Sequence, residues 1–126
     1  RVFIKSRSDS PYVLLDADEG YGEITGKSYP PDVAMFYEPI ISWFRKFKST
    51  EKQDFEIVFK LDYINTATYK MLMDLMFVLE DLVQGGKQIT IKWFYPEDDN
   101  EMLETGKDFE SMLSIKLQHI GYDKDF

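Results

Sequence analysis

The chain has 126 residues and a mass of 14.9 kDa, a length that argues for one domain. Its 15 Lys+Arg against 23 Asp+Glu give a formal net charge of -8, which opposes any general pull toward nucleic acid or an anionic membrane. With no cysteine, disulfides, thiolate metal sites and cysteine nucleophiles are excluded, and no apolar run approaches the ~20 residues that span a bilayer.

Residues 1–10 are polar apart from Val2, Phe3 and Ile4, and read as a frayed start or an edge strand. Arg1 stands where an initiator Met would, which leaves the native start open, and a cytoplasmic location is the default expectation. Tyr12–Leu15 and Gly22–Gly26 read as two short strands joined as a hairpin across Asp16, Asp18 and Gly20. After the loop Ser28-Tyr29-Pro30-Pro31-Asp32, the spacing of Phe36, Ile40, Phe44 and Phe47, widened by Ile41 and Trp43, predicts a helix over 33–48. Pro39 lacks an N–H, so a bend is expected near Glu38.

Phe55–Leu61, with its solid apolar middle, predicts a buried central strand. Asp62–Thr68 leads into a second helix whose face is Met71, Leu72, Leu75, Met76, Leu79 and Leu82, ended by Gly85-Gly86. Gln88–Tyr95 alternates as a strand, and Pro96–Glu101 is an acidic loop. Met102, Leu103, Phe109, Met112 and Leu113 mark a third helix; Ser114–Ile120 is the last strand, and the polar tail 121–126 is expected to be loose. The expected order is β-β-α-β-α-β-α-β, an α/β fold with a single mixed sheet and right-handed crossovers.

Several patterns fail as chemistry on spacing. Gly22 to Ser28 has three residues between its glycines where a phosphate loop needs four. The Asp16, Asp18, Gly20 series has Tyr21 at the sixth position and Lys27 at the twelfth, which a calcium loop does not tolerate. Glu97, Asp98, Asp99 and Glu101 would serve a metal-dependent hydrolase, or else solvate a loop and cap the third helix. His119, the only histidine, reads as a packed or exposed residue, and Met71, Met73 and Met76 read as helix packing.

The junction Asp62–Lys70 holds the strongest signal. Asn65, Thr66 and Thr68 are good helix caps, with Thr66 the hydroxyl whose loss to alanine would remove the cap. The alternative is a phosphorylatable hydroxyl displayed at the rim of the sheet, where phosphate adds roughly -1.5 to -2 charge and Asp62 adds repulsion if it faces the same way.

Gly26-Lys27-Ser28-Tyr29-Pro30, Phe36-Tyr37-Glu38-Pro39-Ile40-Ile41-Ser42-Trp43, Asn65-Thr66-Ala67-Thr68 with Met73-Asp74-Leu75, and Trp93-Phe94-Tyr95 with Asp98-Asp99 occur in that order. Together, over nearly all of the chain after Pro11, they resemble the SiaC family of bacterial regulatory phosphoproteins. That family is similar in fold to STAS-type anti-sigma-factor antagonists. The resemblance implies a phosphorylation-controlled partner switch in cyclic-di-GMP signalling, without enzymatic activity, cofactor, nucleic acid or membrane partner. It places the phosphoacceptor on Thr66. Ala67 and Thr68 stand where members often carry serines, which makes Thr68 a second candidate. It implies a Ser/Thr kinase of the histidine-kinase-like ATPase type, an opposing PP2C-like phosphatase, and an effector such as a diguanylate cyclase bound by the unphosphorylated form. The expected partner-binding residues are Ser28, Tyr29, Pro30, Asn65, Thr66, Thr68 and Tyr69. The competing readings are the hydrolase of loop 97–101 and a constitutive STAS-like scaffold.

Overall fold

The computed structural model describes residues 1–124. In chain order they form β1 (Val2–Ile4), β2 (Tyr12–Asp16), β3 (Tyr21–Ser28), α1 (Val33–Phe47), β4 (Asp54–Ile64), α2 (Thr66–Gln84), β5 (Gln88–Pro96), α3 (Asn100–Ser111) and β6 (Gln118–Tyr122). All six strands join one sheet in the order β1-β2-β3-β4-β5-β6. β1, β2 and β3 pair antiparallel, whereas β3-β4, β4-β5 and β5-β6 are parallel. Each parallel step is bridged by one helix, as parallel pairing requires.

The alternation of β4 sends Phe55, Ile57, Phe59 and Leu61 to one face, where all four are buried. Helix α1 meets that face through Phe44 against Phe55, and α3 through Phe109 against Trp93 of β5. Leu72, Leu75 and Leu79 of α2 complete the same core. The other face carries polar strand residues; Lys92 pairs with Glu56 at 2.7 Å, and Lys60 lies over the Tyr122 ring. Trp93 donates its indole N–H to the Met102 carbonyl at 2.9 Å. Gly106 permits that approach, because a Cβ there would overlap the Trp93 ring.

The expected order lacked one strand. Residues 2–4 take the edge-strand alternative and pair with Val13, Leu14 and Leu15. The bend at Glu38 is absent as a break, since α1 is one helix through Pro39. Pro39 leaves the Met35 carbonyl without its helical donor, and Met35 is exposed enough for water to serve it. The last strand begins at Gln118, not Ser114, because carboxylates take the intervening amides. Glu80 accepts from the Ser114 N–H, and Glu110 from the Leu117 N–H. The strand then runs into the expected loose tail, pairing Gly121 with Tyr95 and Tyr122 with Pro96. The end of the expected tail, residues 125 and 126, lies outside the described residues.

Glu110 ties α3 to β6 from both carboxylate oxygens, with His119 Nε2 at 3.3 Å from the second. The Leu117 N–H, and after it His119, holds its carboxyl below the ordinary value against the opposing effect of burial. A depressed carboxylate stabilises the fold above its unfolded pKa and loses that contribution as pH falls through its folded pKa. Wild type is therefore expected to melt higher than Glu110→Gln at neutral pH. The gap should close as pH drops below about 4, which a series of thermal melts would check.

At the far end of α2, Lys87 is buried, donates from Nζ to the carbonyls of Thr50 and Lys52, and sits 4.8 Å from the Phe47 ring centre. Lys87→Met keeps the stem and removes these charge-assisted bonds, so a loss of about 1–3 kcal/mol is expected in urea unfolding.

Candidate functional site

The strand-to-helix junction is built by a slip in the sheet. Gly26 of β3 pairs with Leu61, but Lys27 pairs with Tyr63, so β4 carries one extra residue at Asp62. The slip reverses the facing of the strand end. Tyr63, which simple alternation would bury with Leu61, is 50% exposed, and Ile64 packs against the core instead. Gly26, at φ 123°, supplies the backbone geometry on the partner strand.

Helix α2 starts immediately after this slip. Its cap is Asn65, whose side-chain oxygen accepts from the Thr68 N–H at 2.8 Å. Thr66 is therefore the first helical residue and not the cap. It is exposed, and among the described residues its hydroxyl makes no hydrogen bond. Thr68 is its opposite: fully buried, with its hydroxyl in two contacts. Residues two apart on an α-helix lie about 200° around the axis, so one threonine faces out while the other faces in.

Beneath the junction, three buried hydroxyls form a chain whose direction follows from counting protons. Thr68 Oγ1 donates to the Ser28 carbonyl at 2.9 Å. That uses its one proton, so in the 3.0 Å contact between the Ser28 and Thr68 hydroxyls the donor is Ser28. Ser28 is then also spent, and in the 2.6 Å contact with Tyr37 the donor is the phenol. Burial pushes the Tyr37 hydroxyl up to about 12, so it stays a neutral donor. The Ser28 carbonyl also accepts the Asn65 N–H at 3.2 Å. β3, α1 and the first turn of α2 are thus wired together.

Of the expected partner-binding residues, Ser28, Pro30 and Thr68 are buried. Tyr29 is 41% exposed and meets Tyr63 edge-on at 5.7 Å. Tyr69 is half-buried, stacked on Phe109 at 4.7 Å, and its phenol is pushed up by desolvation and then by Asp108. Ile64, Asn65, Thr66, Tyr69 and Thr105 of α3 line a shallow cleft of about 210 Å³. Tyr63 and Thr105 were missed from sequence: the slip alone exposes the first, and only the fold brings α3 to the junction. Asp62 is engaged elsewhere, accepting from the Tyr122 hydroxyl and pairing with Lys124 at 3.5 Å.

The acidic loop is differently used. Asp99 caps α3 by accepting from the Met102 N–H at 3.0 Å. Among the described residues no group of three or more His, Asp or Glu side chains is placed to hold a metal ion.

A family model describing SiaC family regulatory phosphoproteins matches residues 4–122. The chain belongs to the SiaC family. An uncharacterized protein of Pseudomonas aeruginosa (strain UCBPP-PA14) is 25% identical over 123 residues, 98% of each chain. A chain in the crystal structure of the diguanylate cyclase SiaD with its activator SiaC, from Pseudomonas aeruginosa, superposes at a TM-score of 0.91 and 24% identity, covering 97% of this chain and 100% of that one. Apo-SiaC of the same organism superposes at 0.82 and 25% identity, covering 95% of this chain and 96% of that one. The mixed sheet with its three helices is thus the fold of SiaC, as the ordered motifs led one to expect. Regulation is the family's role. Among the described residues no helix is long and apolar enough to cross a membrane.

Proposed function

We propose that this regulatory phosphoprotein is a partner switch whose phosphoacceptor is Thr66. The observation that carries this reading is the contrast within one helical turn: an exposed, unbonded Thr66 hydroxyl beside a cap supplied by Asn65 and a buried Thr68. Modification of Thr66 costs the fold no hydrogen bond, whereas modification of Thr68 would require breaking the buried chain. In the transfer, the Thr66 oxygen–phosphorus bond forms as the bond from the γ-phosphorus to ADP breaks, and the hydroxyl proton passes to a base of the kinase.

The kinase is of the histidine-kinase-like ATPase type, and a PP2C-like phosphatase reverses it. The protein itself acts in the cytoplasm without catalysis. The effector is a diguanylate cyclase, by analogy with the partner of SiaC in the complex of that fold. It docks on Tyr29, Tyr63, Asn65, Thr66 and the rim of Tyr69 while Thr66 is unmodified. Aromatic residues on a rigid scaffold are the usual anchors of such surfaces.

Intact-mass analysis of protein from the native host, followed by peptide localisation, tests the assignment. A single phosphoryl adduct on Thr66 that vanishes in Thr66→Ala is expected. An adduct on Thr68 would overturn the assignment to Thr66, and the lack of any adduct under every growth condition would overturn the switch in favour of a constitutive scaffold.

A further inference from the structure

We propose that Thr68 and Ser28 are positioning residues for the phosphorylation of Thr66, holding the acceptor turn from the side opposite to the one the kinase meets. The inference rests on Thr66 being the acceptor. Phosphoryl transfer demands an acceptor oxygen held in line with the γ-phosphate, and a misplacement of about 1 Å can cost roughly a hundredfold in rate. The first residue of a helix is a poor place to hold such an oxygen, since helix ends fray.

Here the first turn of α2 is pinned twice to the Ser28 carbonyl: by the Asn65 N–H at 3.2 Å, and by the Thr68 hydroxyl at 2.9 Å. The Asn65 side chain adds a third bond inside the turn, to the Thr68 N–H. Thr68 is thus both the residue on which the cap closes and the one that anchors the turn to β3. Ser28 fixes the Thr68 rotamer by donating to its oxygen. Tyr37 closes the chain as its last donor, and the Thr68 bond does not depend on it. A second threonine near the acceptor is therefore not a spare acceptor but the anchor of the first.

The test is the initial rate of phosphoryl incorporation from labelled ATP at 25 °C, with native-host extract as the kinase source and the protein concentration varied. Thr68→Val, which keeps shape and removes the hydroxyl, is expected to lower the maximal rate about tenfold with the half-saturating concentration unchanged. Thr68→Ser is expected to restore the rate to within about threefold, because it keeps the donor. Lys87→Met, destabilised at the other end of α2 about 28 Å away, is expected to be phosphorylated like wild type, which separates positioning from general loss of stability. A wild-type maximal rate in Thr68→Val overturns the proposal. Should Thr68→Val fail to fold, Ser28→Ala carries the test: a rate lowered about threefold while Tyr37→Phe is unaffected supports it, and equal rates in the two overturn it. Undiminished incorporation into Thr66→Ala instead overturns the acceptor assignment, and this proposal with it.

Discussion

Phosphorylated at Thr66, the protein is expected to bind the diguanylate cyclase proposed as its effector at least about a hundredfold more weakly than the unmodified form. A phosphate of roughly -2 charge placed in the cleft that Thr66 shares with Asn65 and Tyr69 must be stripped of water whenever that cleft is covered. Burying an uncompensated charge costs several kcal/mol, and about 1.4 kcal/mol is a factor of ten in affinity. Thr66→Ala should bind like wild type and resist modification. Thr66→Asp should fall between wild type and the phosphoprotein, since a single carboxylate carries half the charge and less bulk. None of these changes touches the cap, which belongs to Asn65, so circular dichroism and melting should be near wild type for all. Titration calorimetry reads the affinities directly. Equal binding by the phosphorylated and unmodified proteins would remove the switch.

Ser28→Ala and Thr68→Val are each expected to cost about 2–3 kcal/mol, while Tyr37→Phe costs only about 1 kcal/mol. The direction of the hydroxyl chain decides this order. Removing the Ser28 hydroxyl strands the Tyr37 proton in a fully buried site. Removing the Thr68 hydroxyl strands one of the two remaining protons, since Tyr37 and Ser28 are then left with each other alone. Removing the Tyr37 hydroxyl strands none, because Ser28 still donates to Thr68 and Thr68 to the Ser28 carbonyl. Urea unfolding should show two large midpoint shifts and one small one at constant m-value. A Tyr37→Phe loss as large as the other two would refute the assigned direction.

The helices and central strands were legible from periodicity because burial on one face leaves a strong pattern. The faces were less so. In α1 the series Tyr37, Ile40, Ile41, Phe44 has the i, i+3, i+4, i+7 spacing of a buried stripe, and Tyr37 is indeed fully buried. Phe36, which heads the apolar spacing in the sequence, is only partly buried. A tyrosine is buried when its hydroxyl finds a partner, and Ser28 is nine residues away with no local signal of that pairing. The cap was assigned to a run of suitable residues, and the choice of Asn65 over Thr66 turns on the end of β4, where one inserted residue resets which side chains face out. The start of β6 was misplaced for a similar reason: Glu80 and Glu110 satisfy amides that the alternation of residues 114–117 had assigned to a ladder. Patterns of polarity record burial; they do not record which particular donor meets which acceptor across the chain.

The sequential strand order bears on how the molecule is made. Every strand after the first pairs with its immediate predecessor, so each parallel pairing closes across one helical crossover and none spans the whole chain. During synthesis each emerging strand finds its template already in place. The hydroxyl chain closes within residues 28–68, so the wiring under the proposed acceptor can form before β5, α3 and β6 are made.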